Sequence, residues 1–283
     1  MKRHLDDCQL IERSLFTTYR EAIWTPFMKA IRRYELIQPG DRIGVCISGG
    51  KDSMLMAKLF QMLQRHSEVP YEAEYLVMDP GYNAANRRRI EENAARLRLP
   101  VHFFETNVFD IANSQEKNPC FVCARMRRGC LYSHAQSLGC NKIALGHHFN
   151  DVVETPLISM FYGAQVQAML PKLYADNFPG MQLIRPLYMV HEEDIIAWAE
   201  ENGLRFIQCA CRFTEQAARC DEGASKRKEV KLLLRTLRQT NPNIEQNIFN
   251  SIHCVQLDTM PGWKTAGQLH SFLEKHREKG GGR

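Results

Sequence analysis

Short apolar runs alternate along the chain with segments whose apolar residues recur at the three- and four-residue spacing of a helix. The runs predict strands over residues 43–47, 75–78, 101–104, 142–145 and 183–186. The periodic segments predict helices over residues 53–65, 83–97, 120–137, 151–162 and 191–202. An amphipathic helical segment covers residues 10–36, and residues 105–119 are predicted to form a long polar loop.

This alternation of strands and helices is typical of an α/β fold. It predicts a doubly wound, mainly parallel sheet of about five strands. In such sheets ligands bind beyond the carboxyl ends of the strands. The segments that follow three of the predicted strands contain Ser48, Asp79 and Gly146. We therefore expect these three residues to lie along one edge of the sheet.

The length of 283 residues suits one α/β domain with a small appendage. The pattern places a helical lead-in at residues 1–38, the α/β domain at residues 39–215 and a partly basic helical extension at residues 216–283. No apolar run reaches the roughly 18–20 residues of a membrane helix. The first residues carry acids in place of the apolar core of a secretion signal. We therefore expect a cytoplasmic protein with no membrane partner.

The formal net charge of +5 permits a nucleic-acid partner without requiring one, and the distribution of charge is more informative. One stretch of the extension contains a single acid, Glu229, among the basic residues Lys226, Arg227, Lys228, Lys231, Arg235 and Arg238. A second basic group near the N-terminus consists of Arg20, Lys29, Arg32 and Arg33. Such helices either present a solvated face or contact the phosphates of RNA.

The segment Ser48-Gly49-Gly50-Lys51-Asp52-Ser53 directly follows the first predicted strand and leads into a helix. Adjacent glycines allow a sharp turn that brings backbone N–H groups close to a ligand, and the positive end of the helix favours phosphate. The serines add hydroxyl donors and the lysine adds charge. The spacing differs from that of the kinase-type phosphate loop. It resembles the SGGxDS loop of the ATP-pyrophosphatase (PP-loop) families, which split ATP into AMP and pyrophosphate while adenylating a substrate.

Ten cysteines in a chain without a secretion signal argue against a disulfide framework and favour metal or sulfur chemistry. Cys120 and Cys123 open a predicted helix, where the helix N-terminus favours thiolates. The early pair alone fits zinc, an iron–sulfur cluster or redox chemistry, and four thiolates around zinc remain an alternative. A later group consists of Cys209, Cys211 and Cys220. The remaining cysteines are predicted to be small packing residues: Cys8, Cys46, Cys130, Cys140 and Cys254.

Several motifs appear in order over roughly residues 30–250, and together they resemble the tRNA 2-thiocytidine synthetase family. Besides the glycine loop, they are Cys120-x-x-Cys123 with Arg127-Arg128-Gly129, Ala144-Leu145-Gly146-His147-His148-x-x-Asp151, Phe161-Tyr162-Gly163, Pro171-Lys172-Leu173, Ile184-Arg185-Pro186-Leu187 and the late cysteine pair. The resemblance implies an ATP-dependent tRNA thiolase with a [4Fe–4S] cluster held by three cysteines. The fourth iron would be open to carry sulfur, and the target would be a cytidine of the anticodon loop.

The same resemblance implies the cluster ligands and further partners. Cys120 and Cys123 correspond to two ligands. The third ligand comes in the family from a late C-x-x-C, which is one residue shorter here. Cys211 is our first choice for this ligand, with Cys209 as the alternative and Cys220 as a further option. A sulfur donor such as a cysteine desulfurase is an implied partner beside tRNA, and a homodimer is an option.

For ATP, the resemblance implies that residues 48–53 hold the pyrophosphate portion. Asp52 would orient the loop or a magnesium ion, because a carboxylate does not itself favour phosphate. The backbone at Val77 and Met78 would recognise adenine.

For the reaction itself, Gly146 and one of the two histidines, His147 or alternatively His148, would contact nucleotide or substrate at the edge of the sheet. Asp151 is the candidate for acid–base chemistry or magnesium binding. Arg127 or Arg128 would stabilise the adenylated intermediate or the phosphate of AMP.

One departure from the family pattern leaves other functions open. Asn150 stands where the G-H-H-x-D-D segment of the family has its first acid. A PP-loop ATP pyrophosphatase that thiolates another nucleoside, such as uridine, or a small molecule is therefore the first alternative. A non-catalytic, zinc-containing RNA-binding protein is the second.

Overall fold

The computed structural model describes residues 5–66, 69–113, 119–207 and 222–280. The chain divides into two compact units, Met1–Lys231 and Leu232–Arg283. The predicted boundary between residues 215 and 216 lies outside the described residues.

The first unit begins with helical structure, as the amphipathic pattern predicts. Helix α1 covers Asp7–Phe16, a π-helical turn covers Arg20–Trp24 and helix α2 covers Thr25–Arg33. Asp6 caps α1, because its side chain accepts a hydrogen bond from the backbone N–H of Gln9 at 3.1 Å. Most apolar side chains of this region are buried, Leu15, Ile23 and Phe27 among them, whereas Leu10 is exposed.

Strands and helices then alternate. The strands are β1 Arg42–Ile47, β2 Glu72–Asp79, β3 Val101–Glu105, β4 Lys142–Ala144, β5 Lys172–Tyr174 and β6 Gln182–Ile184. The helices are α3 Lys51–His66, α4 Ala84–Arg96, α5 Val108–Asn113, α6 Pro119–Ser137, α7 Phe149–Gly163, α8 Glu192–Glu201 and α9 Glu222–Thr240. Each helix predicted within the α/β region is present, with ends shifted by a few residues.

In the described part of the first unit, the strands form one sheet in the order β3-β2-β1-β4-β6-β5. All neighbouring pairs are parallel except β5 with β6. The predicted α/β fold with a mainly parallel sheet is confirmed, but the strand number is six where about five were expected. The sequence pattern missed β5 because this strand has only three residues and lies at the sheet edge, where its side chains are largely exposed.

The prediction of a loop over residues 105–119 is wrong in part, because α5 forms over Val108–Asn113. Its first residues, Val108 and Phe109, are buried. Phe109 contacts Tyr82 in an edge-to-face arrangement with ring centroids 6.5 Å apart. Tertiary packing of two apolar side chains therefore gives this polar-looking segment a helical start.

The cysteines predicted to pack in the core differ in their environments. Cys46 and Cys140 are buried in one apolar cluster with Ile143, and Cys8 is also buried, so the prediction is confirmed for these three. Cys130 is half-buried. The prediction is wrong for Cys254, which is exposed.

The second unit, Leu232–Arg283, contains the last part of α9 and helix α10, Ile244–His253. A short 3₁₀ turn, Leu257–Thr259, leads into an antiparallel hairpin of β7, Gly262–Thr265, and β8, Gln268–Ser271. Helix α11 covers Phe272–Gly280. The extension was expected to be helical, and its described part also contains this hairpin, in which Trp263 stacks on His270.

Within the described ranges, no helix combines the length and the apolar character needed to cross a membrane.

Candidate active site

The glycine loop connects β1 to α3 and has a shape that only glycine allows at its second position. Gly49 has a φ of +83°. A Cβ built there would lie 2.6 Å from Cγ1 of Ile90 and 2.8 Å from Cδ1 of Ile207. Gly50 has no such constraint, since the nearest atom to a Cβ added at this position would be Ser48 Oγ at 3.7 Å. The first glycine is therefore required by backbone conformation and close packing, whereas a Cβ at the second would make only an ordinary van der Waals contact.

The two serines of the loop close it on itself. Ser53 Oγ accepts a hydrogen bond from Ser48 N at 3.1 Å and donates to Gly50 O at 3.0 Å. The hydroxyls of Ser48 and Ser53 also lie 3.1 Å apart. Because Ser53 is buried, its hydroxyl serves first to hold the loop in shape. The loop therefore exists as a preformed cradle at the start of a helix, the arrangement that favours binding of anions.

A cavity of about 350 Å³ opens beside this loop. Ser48, Asp52 and Ser53 form one wall, and Met78 contributes from the end of β2. The other walls include Ala124, Arg127 and Arg128 from α6 and Gly146 and His147 from the segment after β4. This volume is typical of a small-molecule site. The expected juxtaposition at one edge of the sheet is therefore present in the structure.

The end of β2 reaches further than its neighbour β1. The last residue pair between them joins Ile47 to Val77, so Met78 and Asp79 extend beyond β1, and Met78 lines the cavity. The side chain of Val77 is fully buried. Asp79 holds the following turn, because its carboxylate accepts hydrogen bonds from Tyr82 N at 2.7 Å and from the Arg87 guanidinium at 2.6 Å. Burial opposes this charge, but the hydrogen bonds lower the pKa of Asp79.

The segment after β4 packs on the start of α3. A Cβ at Gly146 would lie 3.1 Å from the backbone N of Ser53, so a glycine allows the two segments to approach. His148 and Asp151 then form a reciprocal cap at the start of α7: the backbone N of His148 donates to Asp151 Oδ2 at 3.1 Å, and that of Asp151 donates to His148 Nδ1 at 3.4 Å. These two side chains therefore have a structural function whatever their chemistry.

Beyond this cap lies a cluster that we call the charged cluster, made of Asp151 and Glu154 from α7, Glu192 from α8, and Arg227 and Lys231 from α9. Arg227 Nη1 lies 2.7 Å from Asp151 Oδ1, and Arg227 Nε lies 3.6 Å from Glu154 Oε2. Lys231 Nζ lies 2.8 Å from Glu192 Oε2 and 3.9 Å from Glu154 Oε1. The two cations of α9 are thus shared among three carboxylates.

The carboxylates of the charged cluster differ in acidity. Burial opposes the charge of Asp151, but His148 and Arg227 keep its pKa below the ordinary value. Burial likewise opposes the charge of Glu192, but Lys231, His148 and Lys51 lower its pKa to about 2. At Glu154 burial prevails and raises the pKa to about 7. The cluster therefore contains two firmly ionised acids and one that titrates near neutrality.

Lys51 of the glycine loop is also bound to this cluster. Its Nζ lies 3.1 Å from Glu192 Oε1 and 3.2 Å from Asp52 Oδ1. Gly50, Lys51 and Asp52 line a second cavity of about 860 Å³ on the side of the loop that faces α4 and α8. Asp52 lines both cavities, and its buried Oδ1 contacts Lys51 Nζ.

His147 and Arg185 are a second pair with perturbed acidity near the first cavity. Burial and the nearby Arg185 guanidinium lower the pKa of His147 well below its ordinary value, so the imidazole is neutral at physiological pH. Burial and the neighbouring Arg128 lower the pKa of Arg185 to about 10. His147 Nδ1 and Arg185 Nε are buried and have no hydrogen-bond partner among the described residues. Such unsatisfied polar atoms are typical of binding sites.

Among the candidate ligands of the cluster, Cys123 is the residue whose side chain the structure describes. Cys123 is half-buried on α6 and directly precedes Ala124, which lines the first cavity. The backbone of Cys120 lies in the first turn of α6, but its side chain is outside the described set. Cys209, Cys211 and Cys220 also lie outside the described residues. Ile207, the last described residue before them, donates from its backbone N to Gly49 O at 3.4 Å.

The sequence-based interpretation did not single out Glu154, Arg185 or Glu192. Glu154 is three positions after Asp151 on α7, a spacing that places both on one helix face, so this residue had a detectable signal. Arg185 stands within one of the family motifs but was given no role. Glu192 had no signal, because only tertiary structure brings it to Lys51, which is 141 positions away in the chain.

Comparison with known proteins agrees with this geometry. A family model described as PP-loop domain matches residues 23–219. The tRNA-cytidine(32) 2-sulfurtransferases of Citrifermentans bemidjiense and Geotalea uraniireducens are each 36% identical to this chain, over 86% and 87% of it and over 92% and 95% of the relatives. That of Syntrophotalea carbinolica is 37% identical over 81% of this chain and 86% of the relative. The chain belongs to the tRNA-cytidine(32) 2-sulfurtransferase family.

The fold comparison agrees with this family assignment. The chain is similar to the U34-tRNA thiolase NcsA from Methanococcus maripaludis, solved with its [4Fe-4S] cluster, with a TM-score of 0.64. The match covers 90% of this chain and 87% of the thiolase at 18% identity, so it establishes a shared fold. The family and fold class expected from the sequence are therefore confirmed. Family membership also confirms the expected enzyme class, a PP-loop tRNA sulfurtransferase.

Proposed function

We propose that this chain is an ATP-dependent tRNA sulfurtransferase that replaces the C2 oxygen of cytidine 32 in the anticodon loop with sulfur. The names of relatives that match most of this chain support this position. The observation that carries the proposal is the shared cavity: the glycine loop and the thiol-bearing helix α6 contribute to the same walls. A nucleotide-activating centre and a sulfur-handling centre must meet in this way for one substrate atom to be exchanged.

The residues beside the cavity fit ATP with magnesium. The preformed loop and the N-terminus of α3 suit the pyrophosphate portion. The carboxylate of Asp52 lies in the wall of the cavity, and carboxylate oxygens are ligands that magnesium binds. The projecting backbone of Met78 is the candidate partner of adenine, with Val77 supporting it from within the sheet. In the adenylation step, the C2 oxygen of cytidine attacks the α-phosphate of ATP, and pyrophosphate leaves.

Side chains around the cavity have distinct tasks in this proposal. Arg127 and Arg128 stabilise the negative charge that develops on the α-phosphate. The neutral His147 is placed to form a hydrogen bond with nucleotide or base. Asp151, held ionised by its neighbours, is the candidate to bind magnesium or to accept a proton as the cytidine is activated.

The cysteines fit an iron–sulfur cluster held by three thiolates. Cys123, which is half-buried on α6, would be the first ligand. Cys120 would be the second ligand, and Cys211, or alternatively Cys209, the third. A cluster held by three protein ligands would leave one iron free to bind sulfur, and the chemistry that it would supply is replacement of AMP on the activated carbon by that sulfur. A sulfur donor such as a cysteine desulfurase, a homodimeric state and a cytoplasmic location remain predictions.

The test is a thiolation assay with protein purified anaerobically, a tRNA transcript, ATP, magnesium and sulfide. Wild-type protein is expected to bind iron, to release pyrophosphate and to form 2-thiocytidine, which nucleoside mass analysis detects. Cys123→Ser should lose iron and product but keep binding of an ATP analogue. Cys254→Ser, at an exposed cysteine, is the matched control and should keep both iron and product.

Three results would contradict the proposal in different ways. Product that persists in a transcript with uridine in place of cytidine 32 would exclude that position. Formation of 2-thiouridine would favour thiolation of another nucleoside. Stoichiometric zinc without iron, together with no release of pyrophosphate, would favour the RNA-binding alternative.

A further inference from the structure

Glu192 joins the glycine loop to the extension helix α9 through one carboxylate. Its Oε1 lies 3.1 Å from Lys51 Nζ, and its Oε2 lies 2.8 Å from Lys231 Nζ. His148 Nε2 lies 3.8 Å from Oε1. The Glu192 side chain is 22% exposed, so its ion pairs are only partly screened by water. Within the described residues, Lys51 therefore contacts α8 through the Glu192 carboxylate, and Lys231 binds the same carboxylate.

The position of Glu192 is fixed from the backbone side. Its own backbone N donates to Asn150 Oδ1 at 2.9 Å, which caps the first turn of α8 from the neighbouring helix α7. Acidic side chains are favoured in the first turn of a helix because they face its positive end. Glu192 is therefore a permanent anion beside the site in which the proposed function requires a polyphosphate to bind.

A permanent anion at this place competes with phosphate for the Lys51 ammonium. If Glu192 had Lys51 as its only cation, the carboxylate would hold the lysine tightly and would repel the phosphates. Lys231 binds the other oxygen at the shorter distance and so divides the negative charge. Lysine has a flexible four-carbon stem, so a weakened contact to Glu192 leaves Lys51 able to turn toward a ligand.

We propose that Lys231 is a positioning residue that keeps Lys51 available to the phosphates of a bound nucleotide by sharing the carboxylate of Glu192. This inference rests on the proposed use of ATP. Arg227, four positions earlier on the same face of α9, pairs with Asp151 in a similar way. Arg227 and Lys231 therefore both bind acids of the site, whereas Lys228 between them is exposed.

Affinity for a non-hydrolysable ATP analogue with magnesium, measured by calorimetry on the full chain, tests this position. Lys231→Met should weaken binding by about tenfold, because Glu192 then holds Lys51 alone. Glu192→Gln should bind at least as tightly as wild type. The double variant E192Q/K231M should resemble E192Q, and Lys231→Arg should stay within about threefold of wild type because its charge is retained. The matched controls Lys228→Met and Glu193→Gln, both at exposed side chains, should change affinity by less than about twofold.

The double variant separates this role from a purely structural ion pair. If the pair only holds α9 in place, E192Q and K231M should weaken binding to the same extent, and E192Q should not rescue K231M. That result, or unchanged nucleotide affinity in K231M together with weaker tRNA binding, would overturn the inference. Thermal unfolding of each ligand-free variant identifies any loss caused by misfolding, and K231R then decides between charge and packing.

Failure of the proposed function and failure of the proposed role of Lys231 give different results. If wild-type protein binds no nucleotide at all, the use of ATP and this role both fail. If wild type binds nucleotide and E192Q binds it several-fold more weakly, only the role of Lys231 fails.

Discussion

The glycine loop and the charged cluster lie at the same edge of the sheet but are assembled in different ways. The loop consists of consecutive residues, and the hydrogen bonds that close it join Ser48, Gly50 and Ser53, which are no more than five positions apart. The charged cluster takes its members from three helices, and Arg227 reaches an acid 76 positions away. The first depends on local conformation and the second on the docking of separate elements.

This difference predicts different sensitivities. A substitution in the loop acts on backbone strain and close packing, so it changes stability and binding together. A substitution in the charged cluster exchanges one ion pair for another, so it changes acidity and turnover before it changes the fold. Substitutions in the two regions therefore test this distinction, and their expected effects differ in size.

The largest effect is expected at Asp151. Asp151→Asn keeps an oxygen that can accept from His148 N and so preserves the helix cap, but it removes the negative charge beside Arg227. If Asp151 acts as acid–base group or magnesium ligand, thiolation turnover should fall by about 10²- to 10⁴-fold with little change in melting temperature. Rates of pyrophosphate release and 2-thiocytidine formation measure this. Asp176→Asn, at an exposed acid, serves as control, and a fall of less than about tenfold in D151N would limit Asp151 to capping.

The next effect is expected at the loop. Gly49→Ala places a Cβ at 2.6 Å from Ile90 and forces a side chain into a φ of +83°. Left-handed conformation and overpacking together should lower the free energy of unfolding by about 2–4 kcal/mol. Denaturant titration measures the change. Gly50→Ala is the matched control at the adjacent position, and equal losses in both variants would contradict the assignment of strain to Gly49.

A smaller effect is expected from Glu154 and depends on pH. Its pKa is raised from 4.5 to about 7 in the folded protein, so the native state binds more protons than the unfolded state between these values. Stability from this group is therefore fully present below about pH 4.5 and is lost as the pH rises through about 7. The free energy of unfolding of Glu154→Gln, relative to that of wild type, should therefore rise by about 3 kcal/mol between acidic pH and a pH above about 7.

The measurement is the difference in free energy of unfolding between Glu154→Gln and wild type at several pH values. Glu192→Gln should show a pH dependence of the opposite sign, because the pKa of Glu192 is lowered to about 2. Stability from Glu192 is present above its ordinary pKa and is lost as the pH falls toward about 2. A difference for Glu154→Gln that stays constant from about pH 5 to about pH 8 would show that this acid is ionised throughout.

The smallest effect is expected on the salt dependence of tRNA binding and concerns the basic stretch of α9. In this stretch some cations pair with acids of the site and others are exposed. Lys228 is exposed, whereas Arg227 pairs with Asp151. Lys228→Ala should reduce the salt dependence of tRNA binding by about one unit of slope in a plot of log affinity against log salt concentration. Arg227→Ala should leave that slope unchanged and should lower turnover. Equal changes of slope in both variants would return Arg227 to the set of phosphate contacts.

Much of this molecule was predictable from local patterns. The strand–loop–helix unit around Gly49 follows from an apolar run, two glycines and a helical pattern, because these act over a few residues. The order of strands and helices then places Ser48, Met78, Gly146 and Arg127 near one cavity, as expected for a parallel sheet. Short or atypical elements escaped prediction: β5 has three residues, and α5 starts on two buried apolar side chains in a polar segment.

The amino-acid sequence by itself determined the fold class, the loop and the family, because these depend on periodicity, backbone conformation and motif order. Only the tertiary structure decided which charges meet. Lys231 and Lys228 are both basic residues of one helix, yet one pairs with Glu192 and the other is exposed. The orientation of α9 determines which of the two lysines meets Glu192, and this orientation results from the packing of the whole domain. The acidity of Glu154 was likewise undetermined until burial and two neighbouring cations were known, because a pKa depends on surroundings that no local pattern specifies.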